Sequence, residues 1–573
     1  VSSAANRGAE LAESRGGFVV DMLSNGSFDR RSFVKGSALA AGAFFINSKF
    51  NHLLLADTPT SPFTTPWITP LPFAPYATPL PSWQPLDGPP IDPSSHQFYD
   101  QFQPQLRYDF QLCAAMVCPH PQLAFSQLST FCNCFPGPTF MMKYGRPVLV
   151  RMRNLMPNSI PNFGSPETAT HVHNGHHAPE SDGTPFFQLQ PGTYRDMHWP
   201  MTCAGFTMRE GGDPLEAKHT LFYHDHCLDF TAQNVYRGLA GFWLAFDDKD
   251  TGDERDATNP DAFRLPSGVP DGKRVKNRYD IPLMLIDMRF DQNGVQTMDT
   301  SDLDGHLGDK YTVNGAINPY FEVERRKYRF RVLDAGPSRF YDIWFSNGME
   351  FQHIGNDGNL LPAPITVNHV KLGVAERADI IVDFSQLPAS TTELYLVNRA
   401  EQVNGRGPTG NTLPMGSSPR LLKLIVRPGA VNDPSRVPAT LMPRPAQDLP
   451  VVRERFFHFD RANGMWTVNG NIVDLTRCDA AITRNTAEIW NLSTAGGWAH
   501  PVHSHLEEQQ ILTYNGQPVL GTALGGRKDV YALYPGDQMR IYVKFRDFLG
   551  RYVMHCHNVV HEDHAMMIRF DLV

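Results

Sequence analysis

Near its C-terminal end the chain reads His555-Cys556-His557, followed by His561 and Met566. One cysteine, histidines and a more distant methionine sulfur form the ligand set of a blue copper centre. The same residues constrain the backbone. On an extended strand successive side chains take opposite faces, so Cys556 points one way and both flanking imidazoles the other. A metal on Cys556 is then linked through a few covalent bonds to metal sites behind it.

Three more His-x-His pairs occur: His171/His173, His224/His226 and His503/His505. With 22 histidines in 573 residues, chance placement gives about one such pair. On a strand, this spacing turns both rings to one face, as shared metal ligands require. His500-Pro501 precedes the third pair and supplies an imidazole outside it. Imidazole alone suits several metals, but a single Cys with a distant Met selects copper.

These motifs, in this order, resemble the three-domain multicopper oxidases, and among them the spore-coat laccases and bilirubin oxidases. The likeness extends to FPGPTF at Phe135–Phe140, SDG at Ser181–Gly183, Tyr223–Trp243, YTVNG at Tyr311–Gly315, ERADIIVDF at Glu376–Phe384 and HED at His561–Asp563, and spans roughly residues 92–573. It implies one type 1, one type 2 and two type 3 copper ions. By that resemblance His500, Cys556 and His561 hold the type 1 ion with Met566 axial, the spacing favouring it over Met567. His171 and His503 hold the type 2 ion, and His173, His224, His226, His505, His555 and His557 the type 3 pair. Carboxylates at Glu562 and Asp182 match positions that carry protons to the cluster; the other reading is that they only orient ligand imidazoles.

Net charge of −8 and a pI near 6.3 leave no basic footprint for nucleic acid. A mean hydropathy of −0.33 without a long apolar run argues against a membrane-spanning body. Arg30-Arg31 before the short apolar run from Gly36 to Ile46 reads as a twin-arginine export address, which points to a periplasmic or secreted protein. Eight cysteines are present; with Cys556 on copper, seven remain, an odd number. Cys113, Cys118, Cys132 and Cys134 are read as disulfides or buried thiols ahead of a second metal site at Cys132-Asn133-Cys134.

Residues 57–93 are proline-dense and read as a linker or an arm laid on the surface. Beyond them, short Val/Ile/Phe/Tyr runs such as Val148–Arg153 and Tyr328–Leu333 alternate with Gly/Pro/Asn turns, the pattern of β-sandwiches. Val-Asn-Gly recurs at Val313–Gly315 and Val468–Gly470. The expected organisation is all-β: a signal region at 1–56, then Greek-key sandwich domains at 94–250, 279–428 and 452–573, cupredoxin-like by resemblance. Copper ligands fall in the first and third only, so the cluster is expected between them, with the middle domain a spacer and cleft wall.

The expected activity is one-electron oxidation of a small donor at the edge of His500 or His561, coupled to four-electron reduction of dioxygen to water. A methionine axial ligand and Trp498 beside His500 suit phenols, aromatic amines or bilirubin-like pigments. Asn174, Glu507 and Gln509 depart from the family pattern. Carboxylates near the type 1 site would favour a metallo-oxidase acting on Mn(II), Fe(II) or Cu(I), though the 20 methionines are scattered rather than clustered for Cu(I). A ligand-poor scaffold or a simple electron carrier is opposed by the ten histidines.

Overall fold

The computed structural model describes residues 60–267 and 279–573. The twin-arginine segment lies outside these. Strands dominate, and they fall into three pairs of facing sheets. The first pair, two four-stranded sheets, runs from Leu106–Val117 to Ala240–Phe246. The second and third each join a seven-stranded to a five-stranded sheet, spanning Asp280–Met288 to Arg420–Ala430 and Val451–Ala462 to Met567–Leu572. Each repeats one pairing: Leu106–Val117 lies parallel to Val148–Asn154, Asp280–Met288 to Lys327–Asp334, and Val451–Ala462 to Thr486–Thr494. This is an all-β, multi-domain, cupredoxin-like architecture.

Each sandwich encloses its own apolar cluster, and a further one lies between sandwiches. There Phe222, Phe242 and Leu244 of the first pack with Met284, Ile286 and Leu333 of the second and Val530 of the third. That explains why Ala240–Phe246 is buried on both faces. The strand Lys327–Asp334 shows the polar version. Its alternation predicts one wet face, yet Arg329 and Arg331 are 1% and 0% exposed. Arg329 pairs with Asp250 at 2.6 Å and Asp379 at 2.5 Å, and Arg331 with Asp280 at 2.8 Å. Buried charges persist only when paired in this way.

The proline-rich segment is an arm. Leu71 N–H donates to the Tyr320 carbonyl at 2.7 Å on the middle sandwich, and Leu80 N–H to Arg107 at 2.7 Å on the first. Among the described residues no helix is long and apolar enough to cross a membrane. No disulfide joins any of the eight cysteines. Cys113, Cys118, Cys132 and Cys134 are half-buried rather than buried thiols, and none of them enters a three-ligand group among the described residues.

Candidate metal centre

Two strand pairs build the histidine cluster. Thr170–His173 lies antiparallel to Thr220–Asp225 with His171 opposite His224. In the third sandwich His500–Ser504 lies antiparallel to Gly550–Cys556, with His503 opposite His555 and Val502 opposite Cys556. All eight imidazoles of the four pairs are buried. His226, His505 and His555 converge through Nε2 atoms at 3.2, 3.2 and 3.4 Å. His173 Nδ1 lies 3.4 Å from His224 Nε2, and the His557 ring is 5.0 and 5.1 Å from theirs. His171 and His503 face each other at 5.8 Å, and neither Nε2 has a hydrogen-bond partner.

In five of the eight rings the opposite nitrogen hydrogen-bonds an acceptor. In His226 and His173 it lies 3.1 and 3.2 Å from a carboxylate oxygen, and neither His557 nitrogen has a hydrogen-bond partner. His171 Nδ1 is 2.6 Å from the Asp182 carbonyl, His503 Nδ1 2.9 Å from that of Asp529, and His224 Nδ1 2.7 Å from that of Asp225. His505 Nδ1 reaches the Asp182 carboxylate at 2.6 Å. Glu562 bridges two rings, 3.1 Å from His226 Nδ1 and 3.1 Å from His555 Nδ1. An acceptor on the outer nitrogen leaves the proton there and the lone pair facing inward, the arrangement of metal-ligating histidine. Burial lowers the pKa of His171, His173, His224, His226, His503, His505 and His557, which keeps them neutral. Orphaned inward nitrogens in a buried, neutral imidazole cage fit copper ions.

The second group lies on the other face of the same strand. Cys556 Sγ is 3.4 Å from His500 Nδ1 and 3.6 Å from His561 Nδ1, and the two nitrogens are 3.2 Å apart. Met566 is fully buried in the apolar cluster that contains Cys556, whereas Met567 packs in a different one with Val473 and Val553. Burial pushes the Cys556 thiol well above its ordinary range, so thiolate formation here requires a bound cation.

The rings of His500 and His561, where donor contact is expected, are 1% and 0% exposed. Trp466 stacks on His561 at 3.8 Å, and His561 Nε2 meets the Asp304 carbonyl at 3.0 Å. Half-buried Trp498 is the outer aromatic: it packs edge-on to Trp466 at 5.3 Å and donates to Asp304 Oδ1 at 3.1 Å. Arg406 and Arg461 pair with the same carboxylate at 2.8 and 2.9 Å. Asp304 and Arg406 come from the middle sandwich's loops, so that domain covers the site rather than merely spacing it.

Asp182 and Glu562 sit on one-turn helices, Pro179–Asp182 and Val559–Asp563. Gly183 closes the first at φ +79°; a Cβ there would lie 1.8 Å from the Thr170 carbonyl oxygen. Only glycine lets the SDG turn press Asp182 against the histidine strand. Glu562 is also fixed by Thr231 Oγ1, which donates at 2.6 Å. The carboxylates after His505 do not serve the cysteine site. Glu507 binds Arg546 at 2.7 Å, Glu508 accepts from Asn174 at 2.5 Å, and Gln509 accepts from Tyr531. Asn174 and Glu507 thus join one buried polar network, through Glu508, Arg527, Glu216 and Arg546. His306, His353 and His369 of the middle sandwich enter no three-ligand group among the described residues.

Sequence reasoning missed Asp304 and Asp529. Asp529 Oδ2 lies 3.2 Å from His173 Nε2 and pairs with Arg377 at 2.9 Å. No spacing announces either residue, although Arg377 lies inside the ERADIIVDF text already noted.

Comparison with known proteins agrees with this geometry. The family model described as multicopper oxidase matches residues 447–572. The chain is 30% identical over 467 residues to a bilirubin oxidase of Albifimbria verrucaria, covering 79% of this chain and 74% of that one. It is 29% identical over 513 residues to a laccase of Bacillus subtilis, covering 79% and 91%. Its fold matches a crystal structure of a laccase from Pediococcus acidilactici with a TM-score of 0.69 at 22% identity, covering 90% of this chain and 95% of that one. With a cysteine–histidine site and a buried histidine cluster built on adjoining residues, the chain belongs to the multicopper oxidase family.

Proposed function

We propose that this protein oxidises small aromatic donors (phenols, aromatic amines or bilirubin-like pigments) one electron at a time and reduces dioxygen to water. The observation that carries the reading is the placement of Cys556 between His555 and His557, each side of the strand facing a separate ligand group. His500, Cys556, His561 and Met566 would hold a type 1 copper, His171 and His503 a type 2 copper, and His173, His224, His226, His505, His555 and His557 a type 3 pair. Bound copper would supply the electron acceptance and the oxygen chemistry.

The chain's own part is to position, shield and protonate. Burial of every ligand keeps bulk water from the cluster. Glu562, held by Thr231 and two imidazole nitrogens, would pass protons inward, as would Asp182 through its buried, unpartnered Oδ1. Trp498, outermost of the aromatics over His561, supports an aromatic donor. The metal-ion reading loses its main support, since the acidic groups expected beside the type 1 site are tied up in buried ion pairs elsewhere. Export by the twin-arginine route to the periplasm or beyond belongs to the same proposal and rests on Arg30-Arg31.

Oxygen uptake by the copper-loaded protein should be followed with a phenol, an aromatic amine, bilirubin, Mn(II) and Cu(I) on one sample. Faster uptake with the aromatic donors is the expected result. Uptake with metal ions alone would replace this reading by the metallo-oxidase one.

A further inference from the structure

His173 is held differently from its neighbours. His171, His224, His226, His503, His505 and His555 all place Nδ1 on a backbone or carboxylate acceptor. His173 instead turns Nδ1 inward, 3.4 Å from His224 Nε2, and presents Nε2 outward. Its ring plane is fixed between Phe222, stacked at 4.5 Å, and His503, stacked at 3.7 Å. Such a clamp leaves one freedom, a half-turn about Cβ–Cγ that would carry both nitrogens to the other edge. The group positioned to decide that choice is Asp529, whose Oδ2 lies 3.2 Å from Nε2 as a charge contact rather than an aligned hydrogen bond.

Asp529 is itself immobilised from the middle sandwich. Arg377 donates to both its carboxylate oxygens, at 2.9 and 3.0 Å, and is anchored by the carbonyls of Ala375 at 2.8 Å and Thr220 at 3.2 Å. Asp357 accepts from the backbone N–H groups of Asp529 and Val530 at 3.1 and 3.2 Å, and Lys528 pairs with Asp357 at 3.1 Å. The Asp529 carbonyl meets His503 Nδ1 at 2.9 Å. One residue therefore contacts a candidate ligand from the first sandwich and another from the third, while its own geometry is set by the second. A bidentate arginine–carboxylate pair fixes orientation as well as position.

We infer that Asp529, locked by Arg377, is a positioning residue that selects Nδ1 of His173 and Nε2 of His503 as the metal-facing atoms. The middle domain would then set the histidine cluster's geometry without contributing a ligand. This rests on the copper reading above.

The test uses the full-length copper-loaded protein and the variants Asp529→Leu, Asp529→Asn and Arg377→Lys. Readouts are copper per chain, the blue absorption of the cysteine site, the near-ultraviolet absorption of a type 3 pair and the type 2 electron paramagnetic resonance spectrum. Outer-contact substitutions at metal histidines typically weaken affinity about 10- to 100-fold. Asp529→Leu should keep the blue absorption and lose cluster copper by a factor in that range. Asp529→Asn, which keeps an oxygen beside His173 Nε2 but not the charge, should retain copper with an altered near-ultraviolet type 3 absorption. Arg377→Lys, keeping the charge but not the fork, should alter that absorption similarly. Should Asp529→Leu fail to fold, the other two variants decide. Wild-type copper content and superimposable spectra in the folded variants would overturn the inference, whereas a wild-type protein that takes up no copper would overturn the functional reading beneath it.

Discussion

Replacing Glu562 by Gln removes one acceptor from a site that uses both. Its oxygens serve His226 Nδ1 and His555 Nδ1, each at 3.1 Å, and the Thr231 hydroxyl at 2.6 Å. Glutamine keeps one oxygen for Thr231 and His226 and sets an N–H₂ group, itself left without an acceptor, against His555 Nδ1, which keeps the Cys556 carbonyl at 3.1 Å. Leaving one buried donor unmade costs about 1–3 kcal/mol. At about 1.4 kcal/mol per factor of ten, this is roughly a 5- to 150-fold effect. It should fall on the oxygen half of the cycle, since neither His226 nor His555 belongs to the cysteine group. Stopped-flow absorption separates the halves: anaerobic bleaching of the blue band by a phenol, then its return on mixing with oxygen. Bleaching should be unchanged and the return slowed by about 10- to 100-fold. If Glu562 carries protons, the deficit should deepen as pH rises, because a purely orienting role gives a slowing independent of pH. Turnover equal to wild type at every pH, or equal slowing of both phases, would refute the reasoning.

Gly183→Ala places a Cβ against the Thr170 carbonyl at φ +79°, whereas Gly192, at φ +78°, has nothing within 4 Å of its notional Cβ. Alanine at 192 should cost about 1–2 kcal/mol from its left-handed backbone; at 183 it should cost more and lower copper content by displacing Asp182. Calorimetry and copper analysis on both variants check the contrast. Chelation should lower the melting temperature of the copper-loaded protein, since a ligand at about 100 times its dissociation constant adds about 2.7 kcal/mol; an unchanged melting curve would count against ligands bound only by the folded state. Trp498→Ala should raise KM for phenols while leaving the blue spectrum intact, and an unchanged KM would remove this indole from the donor site.

What was readable in the sequence follows from geometry of short range. Four His-x-His pairs and Cys556 declare themselves because a strand repeats every two residues, so ligands sharing a face share a spacing. Alternating runs and turn residues likewise indicate sandwiches. The remainder depends on contacts between sandwiches. The Asp304 carbonyl reaches His561 across 257 positions, and Arg377 reaches Asp529 across 152. No local period encodes such pairs. Glu507 illustrates the converse: its place after His505 suggested a carboxylate for the donor site, but its side chain turns to Arg546. Arg329 and Arg331 look like the wet face of a strand until the aspartates of neighbouring segments are in place.

The sharpest test of the whole scheme is the absorption spectrum and phenol turnover of copper-loaded Cys556→Ser beside wild type. Without the sulfur ligand, the blue band and turnover should both vanish while copper in the histidine cluster is retained. A variant that stays blue and still consumes oxygen with phenol would contradict the account at its root.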